Sequence, residues 1–405
     1  MKNDIAKIFH LQAFWIRNLQ IDNDRLEILI ELKKKYRRCP RCGTKAKHCH
    51  QMGKIQTVKH QLWGKRIVYL KGRKKRWKCF KCKRPFTESW PGVKKWSRKS
   101  EEAEYQILEL LRGKSFRQLE QENKISDHEA RYLLAKVSTV TNWQEERKLK
   151  RIKLGVDEHS FRGRDLVITI TNLSQRRLKA ILPDDRQASL RQWFKTMPKP
   201  VKHRISEVCI DMRESFRSVL EQELPRAKIV VDHFHIIKDA NSRLEEARRL
   251  EQKMRGRKYI GKRWWFIKGR ERLKDKEKEL LDASLKKYPE IKAFYYFKEK
   301  LRSFYKAKNR EEAFVLLSRI ILNMECNDDA AINQWARTLK RWRIYILNYF
   351  ISKTTNAFTE GAHTKIKMIK RQSYGFRNVQ VYIRKMMLAF IPIGLLGGLI
   401  WHTFC

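Results

Sequence analysis

The chain has 405 residues, of which 42% are hydrophobic, so it is too long for a single small module and can bury a substantial core. Lysine and arginine number 93 against 44 aspartate and glutamate, which leaves a formal net charge of +49 at pH 7. Such an excess indicates a polyanionic partner, and nucleic acid is the first choice because it offers a dense line of phosphates. Ribosomal and RNA-binding proteins share this bias, so charge alone does not identify the polymer.

The N-terminus carries no recognisable secretory signal, because residues 1–11 mix charged and apolar side chains. We therefore expect an intracellular, reducing location, where cysteines serve as metal ligands or buried thiols rather than as disulfides. Residues 1–35 are interpreted as an N-terminal arm. Within it, the alternation of residues 26–32 predicts a half-buried strand.

Two cysteine pairs follow, and 36 residues separate them. The pairs are Cys39 with Cys42 and Cys79 with Cys82. Two such knuckles direct four thiolates at one point, which predicts a tetrahedral Zn²⁺ site in a DNA-binding segment over residues 36–92. Buried thiols are the alternative interpretation. The gap also contains four alternative ligands, namely His48, Cys49, His50 and His60.

Residues 93–145 have a helical pattern in three pieces. The pieces are 101–111, 115–122 and a helix from Asp127 to about Val137 that Ser126 caps. The last two match a helix-turn-helix, whose second helix enters the major groove of DNA. Arg131 and Lys136 on that helix are the candidates for DNA binding, although any small helical bundle produces a similar pattern.

From residue 151 the pattern changes to strands. In order it predicts strands 154–157, 166–171 and 178–182, a helix 190–197, a strand ending at Asp211, a helix 215–224 and a strand 229–231. This is the opening order of a ribonuclease H-like α/β fold. Residues 151–240 are therefore predicted to be its first part, with Asp157 and Asp211 on neighbouring strands. Residues 241–350 are helical and basic, and are interpreted as a large all-helical insertion.

A further helix is predicted over residues 356–371. Steps of four, three and four residues place Glu360, Thr364, Lys367 and Arg371 on one of its faces. A lone glutamate among lysines is usually an ion-paired surface residue. Here, however, two strands end in Asp157 and Asp211, and three acids from two strand ends and one helix suit a divalent-metal phosphoryl-transfer site.

Three motifs together resemble a known family. They are residues 356–378, residues 155–158 and residues 231–235. These residues are similar to the bacterial insertion-sequence transposases of the DDE type, specifically the ISL-three family, and the resemblance covers nearly the whole chain. It implies a zinc-binding segment and a helix-turn-helix before a ribonuclease H-like catalytic domain, which residues 351–389 close with the catalytic glutamate.

The resemblance also implies roles for individual residues. It assigns catalysis to Asp157, Asp211 and Glu360. We expect these three acids to bind Mg²⁺ or Mn²⁺, and Lys367 and Arg371, which share the helix face of Glu360, to contact the phosphates of DNA. Asp232 and His235 would support the site or contact DNA, and Asp232 is the one serious competitor for the second acidic position. The sequence departs from the family pattern at residues 212–216, at Ala357 and at His363.

The implied function is an enzyme that binds the ends of an insertion sequence in double-stranded DNA and catalyses cleavage and strand transfer. It would act as a homodimer or higher assembly, in the bacterial cytoplasm at the nucleoid, without membrane contact. A non-catalytic, transposase-derived DNA-binding regulator and a plain nuclease are the alternatives. The apolar tail, residues 390–405, lies outside the family pattern and is predicted to be a packed segment, with a membrane anchor as its alternative.

Overall fold

The computed structural model describes residues 2–34, 36–256 and 260–391. Within these ranges the chain forms two compact units, one of residues 2–139 with 368–391 and the other of residues 140–367. Together they give a mixed α/β fold with many helices. The described residues include no helix that is both long and apolar enough to span a bilayer. Beyond Ile391, the predicted apolar tail lies outside the described residues.

The first unit opens with a sheet built around a long hairpin. Its elements are α1 (Lys2–Ile8), β1 (Phe14–Ile21), β2 (Arg25–Leu32), β3 (Arg37–Arg38), β4 (Lys45–Ala46), β5 (Cys49–Trp63), β6 (Arg66–Lys78) and β7 (Pro85–Thr87). The sheet order is β1-β2-β6-β5, with β7 on β6. Strand β2 confirms the predicted strand, since alternate residues from Leu26 to Leu32 are buried. The β5–β6 hairpin occupies the gap between the cysteine pairs, where no strand was predicted.

Three helices complete this part of the chain, at the predicted positions. They are α2 (Glu101–Gly113), α3 (Phe116–Asn123) and α4 (Asp127–Ala135). Each begins after a serine whose hydroxyl accepts a hydrogen bond of 3.2 Å from a backbone N–H in the first turn. These serines are Ser100, Ser115 and Ser126. Buried leucines from all three helices form one core cluster.

The second unit contains a five-stranded sheet. Its elements are β8 (Ile152–Arg162), β9 (Asp165–Asn172), β10 (Arg177–Ile181), α5 (Gln187–Lys195), α6 (Lys199–Lys202), β11 (Ile205–Ile210), α7 (Glu214–Glu223) and β12 (Lys228–Val231). The strand order is β10-β9-β8-β11-β12. The first three strands are antiparallel, whereas β8, β11 and β12 run parallel. Each of the five predicted strands is present.

Helices follow the last strand. They are α8 (His233–Met254), α9 (Arg263–Ile267), α10 (Asp275–Lys287), α11 (Pro289–Phe304), α12 (Arg310–Glu325), α13 (Ala330–Ser352) and α14 (Ala357–Gln372). The predicted helical character of this region is confirmed, but α8 begins eight residues before the predicted start at Asn241. The reason is a helix cap: Asp232 directly follows β12, and its side chain accepts a hydrogen bond from the Phe234 N–H.

The last described helix, α15 (Val379–Phe390), belongs to the first unit. Leu388 joins the core of α2, α3 and α4. The buried Lys385 ammonium donates a hydrogen bond of 2.6 Å to the Lys114 carbonyl and another to the Leu111 carbonyl. It thereby satisfies carbonyl groups at the C-terminal end of α2, which have no partner within that helix.

Candidate active site and zinc centre

The two predicted aspartates of the second unit lie on neighbouring parallel strands. Asp211 directly follows β11, whereas Asp157 lies within β8, which continues to Arg162 instead of ending at Asp157 as predicted. Cys209 of β11 pairs with Gly155 of β8, and Asp211 and Asp157 each lie two residues further along the same direction. Asp157 is buried, with a side chain only 5% exposed, and the Asp211 charge is near enough to affect its pKa. The predicted juxtaposition of Asp157 and Asp211 is therefore present in the structure.

Close packing of α14 against β8 brings Glu360 to the same place. The Thr359 and Thr171 hydroxyls lie 2.7 Å apart, and the Asn356 side-chain N–H donates to the Val156 carbonyl at 3.4 Å. Gly155 makes this approach possible. A Cβ on it would lie 2.5 Å from the Asn356 Oδ1 and 2.5 Å from the Thr359 Oγ1, which is too close for real atoms.

A cluster of potential metal ligands results. One ligand atom each from Asp157, His235 and Glu360 lies within 4.8 Å of the other two, and the His235 Nε2 is 3.6 Å from the Glu360 Oε1. Asp211 is not a member of this close group, although its Oδ1 is buried and has no hydrogen-bond partner among the described residues. The site therefore combines two of the predicted acids with a histidine predicted only to support them.

The electrostatics of the cluster favour a bound cation. Burial, followed by the charges of Asp211 and Glu360, raises the pKa of Asp157 to about 8. Burial also raises the pKa of Asp211, against the opposing charges of His235 and Lys238. Buried carboxylates that repel one another are stabilised by a positive charge, and oxygen ligands suit a hard divalent ion. The donor set thus fits Mg²⁺ or Mn²⁺.

Two residues beside this cluster were not predicted from the sequence as site residues. Lys238 lies one turn after His235 on α8, and its charge opposes the raised pKa of Asp157. The His363 Nδ1 lies 3.6 Å from the Asp157 Oδ2, and burial lowers the pKa of His363 to about 4, so this ring is neutral at pH 7. Spacing of three residues from His235 and from Glu360 was the available signal.

Asp232, the competitor for the second acidic position, has structural partners. Its Oδ1 accepts the Phe234 N–H at 3.3 Å and its Oδ2 accepts the Asn356 N–H at 3.2 Å. Burial opposes ionisation, yet the hydrogen bonds from His233 and the Phe234 amide lower the pKa of Asp232. A carboxylate held in this way joins the start of α8 to the segment that precedes Glu360.

The predicted DNA-binding residues differ in their surroundings. Lys367 and Arg371 are exposed on α14, on the face that also carries the exposed Thr364. Arg131 instead forms an ion pair with Asp127 at 2.5 Å. Lys136 pairs with Glu104 at 2.8 Å. The α14 pair is therefore the more accessible of the two sets.

In the first unit the four predicted cysteines meet at one point. The Cys39 and Cys82 sulfurs are 3.6 Å apart, those of Cys42 and Cys79 are 3.5 Å apart, and all four lie within 4.8 Å of one another. A tetrahedral Zn²⁺ with Zn–S bonds of ~2.3 Å places sulfurs ~3.8 Å apart, so the donors fit zinc. The alternative ligand His60 instead contacts the Ser100 hydroxyl and the Phe9 carbonyl.

Loss of one zinc ligand is expected to release the metal. Cys79→Ser should lower zinc content to near zero and expose the segment around both knuckles to protease, because this region owes part of its folding energy to the metal. Zinc content by colorimetric chelation and limited proteolysis measure the two effects. Cys49→Ser is the matched control, since Cys49 is exposed and lies outside the four-sulfur group. Full zinc content in Cys79→Ser would contradict the assignment.

Comparisons with known proteins identify the family of the chain. A family model described as a transposase, DDE_Tnp_ISL3, matches residues 154–386, and a model described as the zinc-finger of transposases IS204/IS1001/IS1096/IS1165 matches residues 35–82. The chain is therefore a transposase with a zinc-ribbon segment. It belongs to the ISL3 family of insertion-sequence transposases, since the first model covers more than half of its length.

Two relatives are similar to this chain over most of its length. The transposase for insertion sequence element IS1001 of Bordetella parapertussis is 22% identical over 373 residues, covering 90% of this chain and 91% of the relative. The transposase for insertion sequence element IS1557 of Mycobacterium tuberculosis is 23% identical over 380 residues, covering 87% of this chain and 85% of the relative. The similarity therefore extends over both compact units.

Proposed function

We propose that this transposase is a DDE enzyme, which binds the ends of its insertion sequence and catalyses metal-dependent cleavage and strand transfer. The observation that carries the proposal is the convergence of Asp157 and Glu360, beside Asp211, at one end of one sheet. The strand order β10-β9-β8-β11-β12, with three antiparallel strands followed by two parallel additions, supports a ribonuclease H-like catalytic domain.

The catalytic roles follow from position. Asp157, Asp211 and Glu360 would hold Mg²⁺, which supplies Lewis-acid stabilisation of the charge that develops on phosphate oxygens. Lys367 and Arg371 on the open face of α14 would bind the DNA backbone beside the reacting phosphate. Water would attack the phosphodiester at the element end and break its P–O3′ bond, which leaves a 3′-hydroxyl on the element and a 5′-phosphate on the flanking strand. That hydroxyl would then attack a target phosphodiester, form a new P–O bond and release the 3′-hydroxyl of the target strand. The chain therefore needs neither ATP nor a nucleophile of its own.

DNA recognition is proposed for the first part of the chain. The zinc-binding segment 36–92 and the helix-turn-helix 93–145 would bind the element ends, with α4 as the helix that enters the major groove. In this proposal residues 151–240 and the helix α14 that carries Glu360 would build the catalytic domain, with residues 241–350 as its helical insertion. Two ends must meet for transposition, so we propose a homodimer or higher assembly on nucleoid DNA.

One reaction tests the proposal. Zinc-loaded protein is mixed with labelled element ends, Mg²⁺ and a target plasmid, and products are separated on denaturing gels. The proposal predicts a cut that leaves a 3′-hydroxyl, followed by a covalent joint between the end and the plasmid. Cuts without joints would indicate a nuclease, and specific binding without cuts would indicate a regulator; either result would replace the proposal.

The raised pKa of Asp157 gives a pH prediction. Below a pKa of about 8 this carboxyl carries a proton that a cation must displace, so Mg²⁺ affinity should rise roughly tenfold per pH unit from pH 6 to 8 and then level off. In metal-free protein, stability from the protonated group is present below its ordinary pKa of 3.8 and lost as pH rises through about 8. Calorimetric titration at several pH values measures the affinity. Asp157→Asn should flatten the profile, and a wild-type affinity independent of pH would contradict the prediction.

A further inference from the structure

We propose that His235 is a direct ligand of the catalytic metal, and that this nitrogen ligand makes the site prefer Mn²⁺ over Mg²⁺. The inference rests on the proposed function and adds to it the composition of the ligand set. A site of carboxylates alone would have only oxygen donors. The close group in this chain instead consists of two carboxylates and an imidazole, from Asp157, Glu360 and His235.

The distances agree with one shared ion. Divalent ions of this size bind nitrogen and oxygen at about 2.0–2.2 Å, so two ligands of one ion are about 3 to 4.4 Å apart. The His235 Nε2 lies 3.6 Å from the Glu360 Oε1, and the three ligand atoms of the group lie within 4.8 Å of one another. Glu360 and His235 therefore need little movement to bind one cation together with Asp157.

The hydrogen-bonding capacity of the His235 imidazole is also incompletely satisfied. Its Nε2 is buried and has no hydrogen-bond partner among the described residues, and the side chain is only 11% exposed. Burying an unsatisfied polar atom costs on the order of 1–3 kcal/mol, so such atoms in proteins commonly have a ligand or water. A metal ion held by Asp157 and Glu360 would satisfy this nitrogen.

The local structure at the start of α8 positions the His235 ring near Asp157 and Glu360. Asp232 caps α8, and the His235 N–H closes the first turn on the Asp232 carbonyl at 3.1 Å. The Phe234 ring stands edge-on to the His235 ring, with centroids 5.8 Å apart and planes at 88°. The β12–α8 junction thus holds the imidazole at the same end of the sheet as Asp157.

Nitrogen ligation has a chemical consequence. Mg²⁺ prefers oxygen donors and keeps its bound waters, whereas Mn²⁺ has a higher affinity for a given set of nitrogen and oxygen donors. Replacing His235 should therefore affect the two metals differently. Loss of the imidazole should weaken Mn²⁺ binding by at least about tenfold, the lower end of the cost of losing even an outer partner of a metal site. Mg²⁺ binding should change less, so the ratio of the two dissociation constants moves toward unity.

Spin-echo spectroscopy of bound Mn²⁺ tests the proposal without any catalytic readout. Zinc-saturated wild-type protein with one equivalent of Mn²⁺ should show modulation from a directly bound ¹⁴N nucleus. His235→Asn should abolish the modulation, and His235→Asp should abolish it while retaining cation binding with a preference shifted toward Mg²⁺. His233→Asn is the matched control, because His233 precedes His235 on the same helix turn and its side chain contacts Asp232 instead.

The outcomes are distinct. Bound Mn²⁺ without nitrogen modulation would overturn the inference and leave the proposed carboxylate site intact. Modulation that disappears in His363→Asn but persists in His235→Asn would also overturn it, since the His363 Nδ1 is 3.6 Å from Asp157. Mn²⁺ binding that Asp157→Ala leaves unchanged would instead refute the proposed catalytic site itself. Calorimetric dissociation constants for both metals provide the second measurement.

Discussion

Asp157→Asn should reduce Mg²⁺-dependent cutting of end-containing DNA by about 10³-fold or more, while DNA binding stays within a few-fold of wild type. The side chain lies at the centre of the acidic cluster and is almost fully buried, so no other group can take its place. Stabilisation of phosphate charge by a metal contributes several kcal/mol, and each 1.36 kcal/mol is a factor of ten in rate. Single-turnover cutting of labelled ends and a gel-shift assay measure the two quantities.

Two further substitutions test whether the loss of cutting is specific to the acids of the close group. Glu158→Gln removes a neighbouring carboxylate that is already paired with Arg213, and it should keep cutting within a few-fold of wild type. Glu360→Gln should lose cutting as severely as Asp157→Asn, because it removes the second acid of the close group. Full cutting by either Asp157→Asn or Glu360→Gln would refute the assignment of these acids.

Asp232→Asn separates the two candidates for the remaining acidic position. The amide can keep one backbone hydrogen bond of the Asp232 cap, so moderate destabilisation and a partial loss of cutting are expected. Asp211→Asn should abolish cutting but destabilise the fold less than Asp232→Asn, because burial already disfavours the charged form of Asp211 and the amide is neutral. Thermal unfolding and cutting rates of both variants provide the comparison. Complete loss of cutting in Asp232→Asn with partial loss in Asp211→Asn would instead assign the catalytic role to Asp232.

The sheet of the second unit was predictable because most of its strands contain an apolar run bounded by polar residues, although β8 extends beyond its apolar run to Arg162. Strand β12 is buried along Ile229, Val230 and Val231, and the charged residue that follows marks its end. The convergence of Asp157 and Asp211 follows from the parallel pairing of β8 with β11, because both aspartates lie two residues beyond the pair of Gly155 and Cys209. These features depend on local periodicity, which a single sequence contains.

Other features depend on contacts that periodicity does not record. The β5–β6 hairpin was not predicted, because its basic and apolar residues do not alternate regularly and residues 49–57 are mostly exposed. The early start of α8 depends on the Asp232 cap rather than on an apolar stripe. His363 and Lys238 approach Asp157 only after α14 and α8 pack against the sheet. Their spacing of three residues from Glu360 and from His235 was the one signal that the sequence contained.

Gly155→Ala should lower cutting by about 10²-fold without unfolding the protein. The added Cβ would meet Asn356 and Thr359 at 2.5 Å and the Thr171 hydroxyl at 2.7 Å, so the first turn of α14 must move away from β8. Overpacking of this kind costs about 1–3 kcal/mol of stability. A displacement of about 1 Å at a catalytic group is enough for the expected loss of rate. Cutting rate, Mg²⁺ affinity and circular dichroism together distinguish displacement of Glu360 from general unfolding.

A second glycine on the same helix supplies the matched control. Gly361 follows Glu360 directly, but among the described residues a Cβ there would meet no atom within 4 Å beyond its chain neighbours and its own helix backbone, and the residue is exposed. Gly361→Ala should therefore keep cutting near the wild-type rate and stabilise α14 by about 0.5–1 kcal/mol, because alanine restricts the unfolded chain more than glycine does. Equal losses in both variants would mean that any side chain near Glu360 disturbs the site. A loss confined to Gly155→Ala would show that close contact between β8 and α14 sets the position of Glu360.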